Sequence, residues 1–97
     1  MYEVKVSSAA KKDIKRLNPS TRQVVKKVHI SKIRADPYLA EPLRYELKGL
    51  WSYHFSHQAA QYRIIYEIYP EQNLLVLLMI APRENIYQRL RRRLGLR

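Results

Sequence analysis

The feature that constrains the fold most is LLVLLMIA, a run from residue 74 to residue 81 that is apolar at every position. A strand that is apolar on both sides must be covered on both faces, so the run predicts a central strand of a sheet. It is too short to cross a bilayer. A PEQN turn separates it from QYRIIYEIY, and proline and asparagine both suit turn positions. The two runs are therefore predicted to form a hairpin.

Two helices are predicted between residues 7 and 36. Either serine of the pair 7–8 can cap the first helix, which stops at Asn18-Pro19. Ser20 or Thr21 can cap the second helix, which ends at Asp36-Pro37. The apolar residues that recur at helical spacing are expected to face the core: Ala10, Ile14, Leu17, Val24, Val25, Val28 and Ile33.

The remaining segments predict more strands and a last helix. Residues 2–6 alternate apolar with polar side chains, and LRYEL and WSYHFSH contain aromatic residues typical of strands. The final segment, RENIYQRLRRRLGLR, holds six arginines and has Ile86, Leu90 and Leu94 at every fourth position, which predicts a short amphipathic helix. The predicted fold class is α+β, in one domain spanning residues 1–97. It has a small antiparallel sheet, an N-terminal helical hairpin packed on the sheet and a short C-terminal helix.

The net charge points to an anionic partner. The chain has 19 Lys and Arg against 8 Asp and Glu, a net charge of +11. The resulting potential attracts RNA, DNA or an acidic protein. The absence of cysteine excludes disulfides and thiolate metal sites, and the N-terminal residues lack the layout of a signal peptide. We therefore expect a cytoplasmic protein that is not bound to a membrane.

The histidines do not predict a metal site. His54 and His57 are three residues apart in a predicted strand and so point to opposite faces. His29 lies in the second predicted helix and is interpreted as structural. The chain has only two glycines and no glycine-rich phosphate loop. No metal or cofactor is expected.

Cationic residues are the candidates for a phosphate site, because the planar guanidinium of arginine matches two phosphate oxygens. Arg63 lies in a segment that otherwise reads as core sheet, and Arg83 precedes Tyr87 by four residues. Each has an ordinary alternative: Arg63 can pair with Glu67 on the same strand face, Arg83 can be solvated, and Tyr87 can pack on the core. The candidate set is Arg63, Arg83, Tyr87 and Lys48.

A phosphate site of this composition suits part of the chemistry of RNA cleavage. Attack by the 2′-hydroxyl of RNA requires removal of its proton, stabilisation of the phosphorane oxygens and help for the departing 5′-oxygen. Arginine suits the second task, but a guanidinium with a pKa above about 12 and a phenol with a pKa of about 10 are poor proton carriers. The residues alone predict a phosphate site and leave its reaction open.

The chain resembles the RelE/ParE superfamily of toxins from type II toxin-antitoxin pairs. The resemblance covers nearly the whole chain and is carried by MYEVKVSSAAKKDIKRL, LKGLWSYHF, YRIIYEI and PRENIYQRL. It implies a RelE-like, microbial-RNase-like fold and, in the branch similar to RelE, cleavage of mRNA in the ribosomal A site. In that branch Arg63, Arg83 and Tyr87 correspond to site residues, and Lys48 matches a basic position. The resemblance also implies a cognate antitoxin that is acidic and partly disordered when free.

Two departures from the family pattern leave other functions open. Ala81-Pro82 stands where many relatives have glycine followed by a basic residue, and Tyr53 stands where a basic residue is common. His54 or His57 can compensate for these losses. The alternatives are a ParE-like toxin that binds DNA gyrase, and an inactive relative that binds only an antitoxin.

The other basic residues are predicted to contact rRNA or the antitoxin, with solvated helix faces as the alternative. They are Lys11, Lys12, Lys15, Arg16, Lys26, Lys27, Arg89, Arg91, Arg92 and Arg93.

If these residues carry the binding to rRNA, we predict that its binding constant falls steeply as salt concentration rises, because neutralised phosphates release counterions. A salt titration of rRNA binding measures this dependence. A flat response would contradict a binding role for the basic residues.

Overall fold

A computed structural model describes residues 1–96 of the chain. The strands are β1 (Glu3–Val6), β2 (Glu41–Pro42), β3 (Leu50–His57), β4 (Ala60–Tyr69) and β5 (Leu74–Pro82). The helices are α1 (Ser8–Arg16), α2 (Pro19–Val24), a π-helical turn (Val25–His29), α3 (Ile30–Ala35) and α4 (Ile86–Arg93). The predicted α+β class is confirmed. Within residues 1–96, no helix has the length and apolar character needed to cross a membrane.

The five strands form one sheet in the order β1-β5-β4-β3-β2. The apolar run in β5 lies between β1 and β4, in the interior of the sheet, as its composition predicts. The predicted hairpin of β4 and β5 is confirmed, and Asn73 in its turn adopts the left-handed backbone with φ 52°. The sheet is not wholly antiparallel, because β1 pairs with β5 in parallel.

The two faces of the sheet have separate cores. The hairpin face is covered by α1 to α3, and its buried residues include Phe55, Tyr66 and Leu77. The α4 face is covered by α4, whose Ile86 and Leu90 pack with residues of β3 to β5. The amphipathic character predicted for the last helix is confirmed for these two positions, but Leu94 is 40% exposed.

The helical hairpin forms largely as predicted. Ser7 caps α1 by accepting a hydrogen bond from the backbone N–H of Ala10. The cap of α2 is Asn18, not Ser20 or Thr21, because the Asn18 side chain accepts from the backbone N–H of Thr21 at 2.8 Å. Val28 was predicted to face the core and is 40% exposed. The π-helical turn at residues 25–29 adds a residue to the turn, which shifts the helical spacing on which that prediction rested.

The predicted strand at LRYEL is wrong. Residues 45–47 form a single 3₁₀ turn, and the short strand β2 comes earlier, at Glu41–Pro42. Tyr45 has a φ of 58°, in the left-handed region, and this conformation ends extended structure. The turn directs Leu47 into the core beneath α4.

β5 contains a bulge next to the end of β1. Met79 pairs with Ile65 and Leu77 pairs with Tyr66, so Leu78 is an extra residue in β5. The bulge shifts the alternation of side chains, and Leu77 and Ile80 therefore both face the hairpin core. β1 pairs with β5 only as far as Leu77, so the backbone beyond this point has no strand partner on that side.

A buried ion pair satisfies the backbone that β1 leaves unpaired. Asp13 of α1 is 3% exposed, and its carboxylate accepts the backbone N–H of Ile80 at 3.0 Å. The same carboxylate accepts two hydrogen bonds from Arg93 of α4, at 2.7 and 2.9 Å. Arg93 also donates to the carbonyl of Leu78 at 2.9 Å. The pair joins α1, β5 and α4, and the charge of Arg93, which was predicted to contact rRNA or the antitoxin, is paired with Asp13 inside the fold.

We predict that Asp13→Ala lowers the free energy of unfolding by about 3–5 kcal/mol, because it leaves the Arg93 charge and the Ile80 N–H without their partner. Arg92→Ala, at an exposed arginine of the same helix, should change it by less than about 0.5 kcal/mol. Urea unfolding measures both values. Equal stabilities for the two variants would show that the ion pair does not hold the fold together.

Candidate functional site

Arg63 and His54 face each other on the α4 face of the sheet. They are register partners in the antiparallel ladder of β3 and β4. Leu50 and Ile65 belong to the α4 core, and the alternation of side chains along a strand places His54 and Arg63 on that same face. On its other side Arg63 pairs with Ala81 of β5, whose small side chain leaves room beside the guanidinium.

Arg63 has no carboxylate partner within the described part of the chain. The alternative interpretation, an ion pair with Glu67, is wrong, since that pair does not form. Four residues along a strand span about 13 Å, which is too far for a direct ion pair. The Nε of Arg63 is buried and has no hydrogen-bond partner among residues 1–96, and one terminal nitrogen makes a long 3.5 Å contact to the carbonyl of Tyr62. A half-buried guanidinium with no carboxylate partner and an unpaired Nε–H can bind an anionic ligand.

His54 stands between Arg63 and Glu41 of β2. Its Nε2 lies 3.5 Å from a carboxylate oxygen of Glu41. Burial lowers the pKa of His54, the positive charge of Arg63 lowers the pKa further, and Glu41 partly opposes both effects. The imidazole is therefore favoured in its neutral form, which can accept a proton. A pocket of about 390 Å³ opens beside it, between residues 39–41 and 52–54.

Tyr87 reaches the same face from α4. Its hydroxyl forms a 3.1 Å hydrogen bond with the hydroxyl of Ser52. Ser52 is buried and precedes His54 by two residues in β3, so the two side chains are neighbours on one face. The ring of Tyr87 packs against the α4 core, as the alternative interpretation predicted. The hydrogen bond to Ser52 also fixes its polar end above the sheet.

The structure places Arg83 near Arg63 and Lys48 farther away. The backbone N–H of Arg83 donates to the carbonyl of Gln61 at 3.0 Å, which extends the pairing of β4 and β5. Arg83 is thus a diagonal neighbour of Arg63, at a typical Cβ distance of about 7–8 Å. It precedes α4, which begins at Ile86, so it does not occupy the first helical turn. Lys48 is exposed and precedes the first residue of β3, Leu50. Leu50 is itself four strand residues, about 13 Å, from His54. Lys48 is therefore remote from the pair of His54 and Arg63.

The other predicted binding residues lie on the helical hairpin and on α4, and the two groups meet at one cleft. The six basic residues of the helical hairpin are exposed on the layer that covers the hairpin face, opposite Arg63; they are Lys11, Lys12, Lys15, Arg16, Lys26 and Lys27. On α4, Arg92 is exposed, Arg89 lines a cleft with Arg16, and Arg91 pairs with Glu46.

The remaining histidines have contacts on the hairpin face. His29 bonds to the hydroxyl of Tyr53 at 2.7 Å and stacks on Phe55. His57 bonds to the hydroxyl of Ser20 at 2.8 Å. The prediction that His54 and His57 face opposite sides of the sheet is confirmed, and so is the structural interpretation of His29.

Sequence reasoning undervalued three residues of this site. His54 was considered only as a substitute, and Ser52 and Glu41 were not considered. Ser52 and His54 could have been found from the sequence, because two residues that alternate in a strand lie on the same face of the sheet, here the face that carries Arg63. Glu41 gave no signal, since its position depends on the short strand β2.

The sheet with a helical hairpin on one face and an arginine-rich helix on the other defines a class of protein, the toxins of the RelE/ParE superfamily. Residues 4–91 match the family model of the ParE-like toxin of type II bacterial toxin-antitoxin systems. The chain belongs to this family.

Relatives from two bacteria agree with this assignment. Toxin RelG of Mycobacterium tuberculosis is 30% identical over 89 residues, which cover 91% of this chain and 98% of RelG. The toxin-antitoxin complex RelBE2 of the same organism contains a chain with 28% identity and a TM-score of 0.72, covering 84% of this chain and 98% of that one. The isolated E. coli RelE toxin has 15% identity and a TM-score of 0.68, covering 97% and 99%, and shows that the fold is shared.

We predict that the neighbours of His54 set its pKa in opposite directions. Arg63→Ala should raise the pKa of His54, because it removes a positive charge, and Glu41→Gln should lower it, because it removes a negative one. Titration of the imidazole signals by NMR measures the shifts. Unchanged values in both variants would show that the three side chains do not form one site.

Proposed function

We propose that this toxin cleaves mRNA in the A site of the ribosome and that a cognate antitoxin neutralises it. The observation that carries the proposal is the half-buried Arg63, which has no carboxylate partner among residues 1–96 and lies beside the imidazole of His54. A guanidinium next to a neutral base provides an anion-binding group and a proton acceptor in one place.

The residues can divide the steps of RNA cleavage as follows. Neutral His54 takes the proton from the 2′-hydroxyl, whose oxygen then forms a bond to the adjacent phosphorus. Arg63 and Arg83 stabilise the negative charge on the non-bridging oxygens. The bond from phosphorus to the 5′-oxygen breaks, and Tyr87 provides the proton to that oxygen. The products are a 2′,3′-cyclic phosphate and a 5′-hydroxyl.

The ribosome supplies what this small site lacks. A site with one imidazole and one phenol as proton carriers depends on a substrate held in the reactive geometry, and an mRNA bound in the A site can be held in this way. The exposed cations of α1 and of the π-helical turn lie on the layer opposite Arg63. They suit contacts with rRNA that leave the α4 face directed at the message.

A cognate antitoxin is the proposed second partner. The RelBE2 structure of M. tuberculosis is a toxin-antitoxin complex, and its toxin-like chain resembles this one over most of its length. The net charge of +11 favours an acidic partner. We assign the protein to the cytoplasm, where ribosomes and an antitoxin would both be available.

Binding to DNA gyrase is the second candidate function, because the family model that matches residues 4–91 is that of ParE-like toxins. The arrangement of Arg63, His54 and Tyr87 favours RNA cleavage over this alternative, since a protein that acts only by binding gyrase has no need for a paired imidazole and guanidinium.

We predict that Arg63→Ala lowers the rate of mRNA cleavage by about 10²–10³-fold, through loss of charge stabilisation. His54→Gln should lower it by about 10²-fold or more, through loss of the proton acceptor. Arg83→Ala and Tyr87→Phe should abolish growth arrest while the fold persists. Primer extension on a defined mRNA in a purified translation reaction measures the rates.

The matched control is Lys5→Ala, which removes an exposed cation from β1, at the sheet edge far from β3. It should cleave like the wild type. If Arg63→Ala and His54→Gln cleaved as fast as Lys5→Ala, the site assignment would be wrong. If the wild-type protein left the message intact and inhibited supercoiling by gyrase, the proposed function would be replaced by the second candidate.

A further inference from the structure

The turn at residues 43–50 presents one tyrosine to solvent while the rest of the turn is fixed. Tyr45 is 87% exposed, the highest exposure among the large hydrophobic residues of the described chain. Its φ of 58° is an unfavourable conformation for a residue with a Cβ. Such strain persists only where the surroundings impose it, and it is concentrated at functional positions.

Three kinds of contact hold the turn. The backbone N–H of Leu43 donates to the carbonyl of Leu50 at 2.9 Å, and that of Lys48 donates to the carbonyl of Tyr45 at 3.0 Å. Glu46 forms an ion pair with Arg91 of α4. Leu47 is buried in the core beneath α4. The ring of Tyr45 is thus left outside a turn whose backbone and neighbouring side chains are anchored.

A pocket of about 250 Å³ lies between this turn and the candidate site. Pro42, Leu43 and Leu47 give it apolar walls. The rest of its lining is Glu41, Arg44, Tyr45 and Tyr87. Tyr87 connects the pocket to the site through its hydrogen bond with Ser52. A ligand in the pocket would therefore be next to the place where the proposed cleavage occurs.

We infer that this pocket binds a nucleobase of the single-stranded RNA, stacked on the ring of Tyr45, beside the phosphate that is cleaved. The inference rests on the proposed function and names a further part of the same substrate. Flat aromatic rings on a fixed backbone are the usual platform for unpaired bases. Two exposed cations of the same turn, Arg44 and Lys48, complement the phosphates of an RNA strand.

An apolar side chain of a protein partner is the competing occupant. The local charge favours RNA, because the turn exposes the two cations Arg44 and Lys48 and the acidic Glu46 is paired with Arg91. The one carboxylate in the lining, Glu41, lies 3.5 Å from the imidazole of His54. The same placement gives Lys48 a role outside the reactive centre: it contacts the RNA backbone next to the stacked base.

The test uses Tyr45→Gly, which removes the ring and tolerates the positive φ. The probe is a six-nucleotide single-stranded RNA of uridines with one 2-aminopurine, whose fluorescence falls when the base stacks. We expect the wild type to quench the probe, and Tyr45→Gly to bind it about tenfold more weakly and without quenching. Tyr45→Trp should retain binding and quenching. Tyr69→Ala, which removes an exposed tyrosine that does not line the pocket, is the matched control and should resemble the wild type.

A melting temperature of Tyr45→Gly at or above that of the wild type excludes unfolding as the cause, since glycine relieves the backbone strain. Equal quenching and affinity in Tyr45→Gly and the wild type would overturn the inference. Loss of antitoxin affinity with unchanged RNA affinity would also overturn it and assign the pocket to the protein partner.

Cleavage on ribosomes separates this inference from the proposed function. If Tyr45→Gly cleaves mRNA with the wild-type kcat/KM, only the base pocket is wrong. If the wild type does not cleave mRNA, the proposed function fails, and the base pocket fails with it. We expect kcat/KM to fall by about tenfold in Tyr45→Gly and to be unchanged in Tyr69→Ala.

Discussion

The position of the C-terminal helix depends on the ion pair of Asp13 and Arg93. β1 stops before the bulge in β5, and the backbone beyond it would be buried without hydrogen bonds. The carboxylate of Asp13 and the guanidinium of Arg93 supply those bonds, to Ile80 and Leu78. Because Arg93 is the last residue of α4, the same contact fixes that helix against the sheet.

The candidate site follows from this arrangement. α4, held by its buried apolar residues and by Arg93, places the hydroxyl of Tyr87 above Ser52. The ladder of β3 and β4 brings His54 beside Arg63 without any long-range loop. The bulge directs Ala81, not a larger residue, toward the α4 face next to Arg63. Most cations of the helical hairpin lie on the layer opposite Arg63, which would give the proposed RNA binding and the proposed reaction at the α4 face different surfaces.

The sequence predicted the elements whose signal is local. The β4-β5 hairpin and α1 follow from patterns within a few residues, as do the apolar contacts of Ile86 and Leu90. The parallel partner of β1 lies about 70 residues away along the chain, and no local pattern specifies it. Likewise, Arg93 is one of several similar arginines, and only its distance to Asp13 in the fold distinguishes it.

The residues of the candidate site that have a local sequence signal were also predicted, and those that depend on the tertiary structure were not. Arg63 stood out as a lone cation in an apolar segment, and the resemblance to a toxin family pointed to Arg83 and Tyr87. The partner of His54 was not predictable, because Glu41 lies in a strand of only two residues. LRYEL was read as a strand because its composition fits one, and the left-handed φ of Tyr45 that prevents it is a tertiary effect.

The most direct test of the proposed chemistry is to identify the RNA ends that the wild-type toxin produces on ribosomes carrying a defined mRNA. Mass spectrometry of the fragments distinguishes the possible ends. Attack by the 2′-hydroxyl predicts a 2′,3′-cyclic phosphate on the upstream fragment and a 5′-hydroxyl on the downstream one, within the A-site codon and only when ribosomes are present. An intact message, or fragments that carry a 5′-phosphate, would contradict the account.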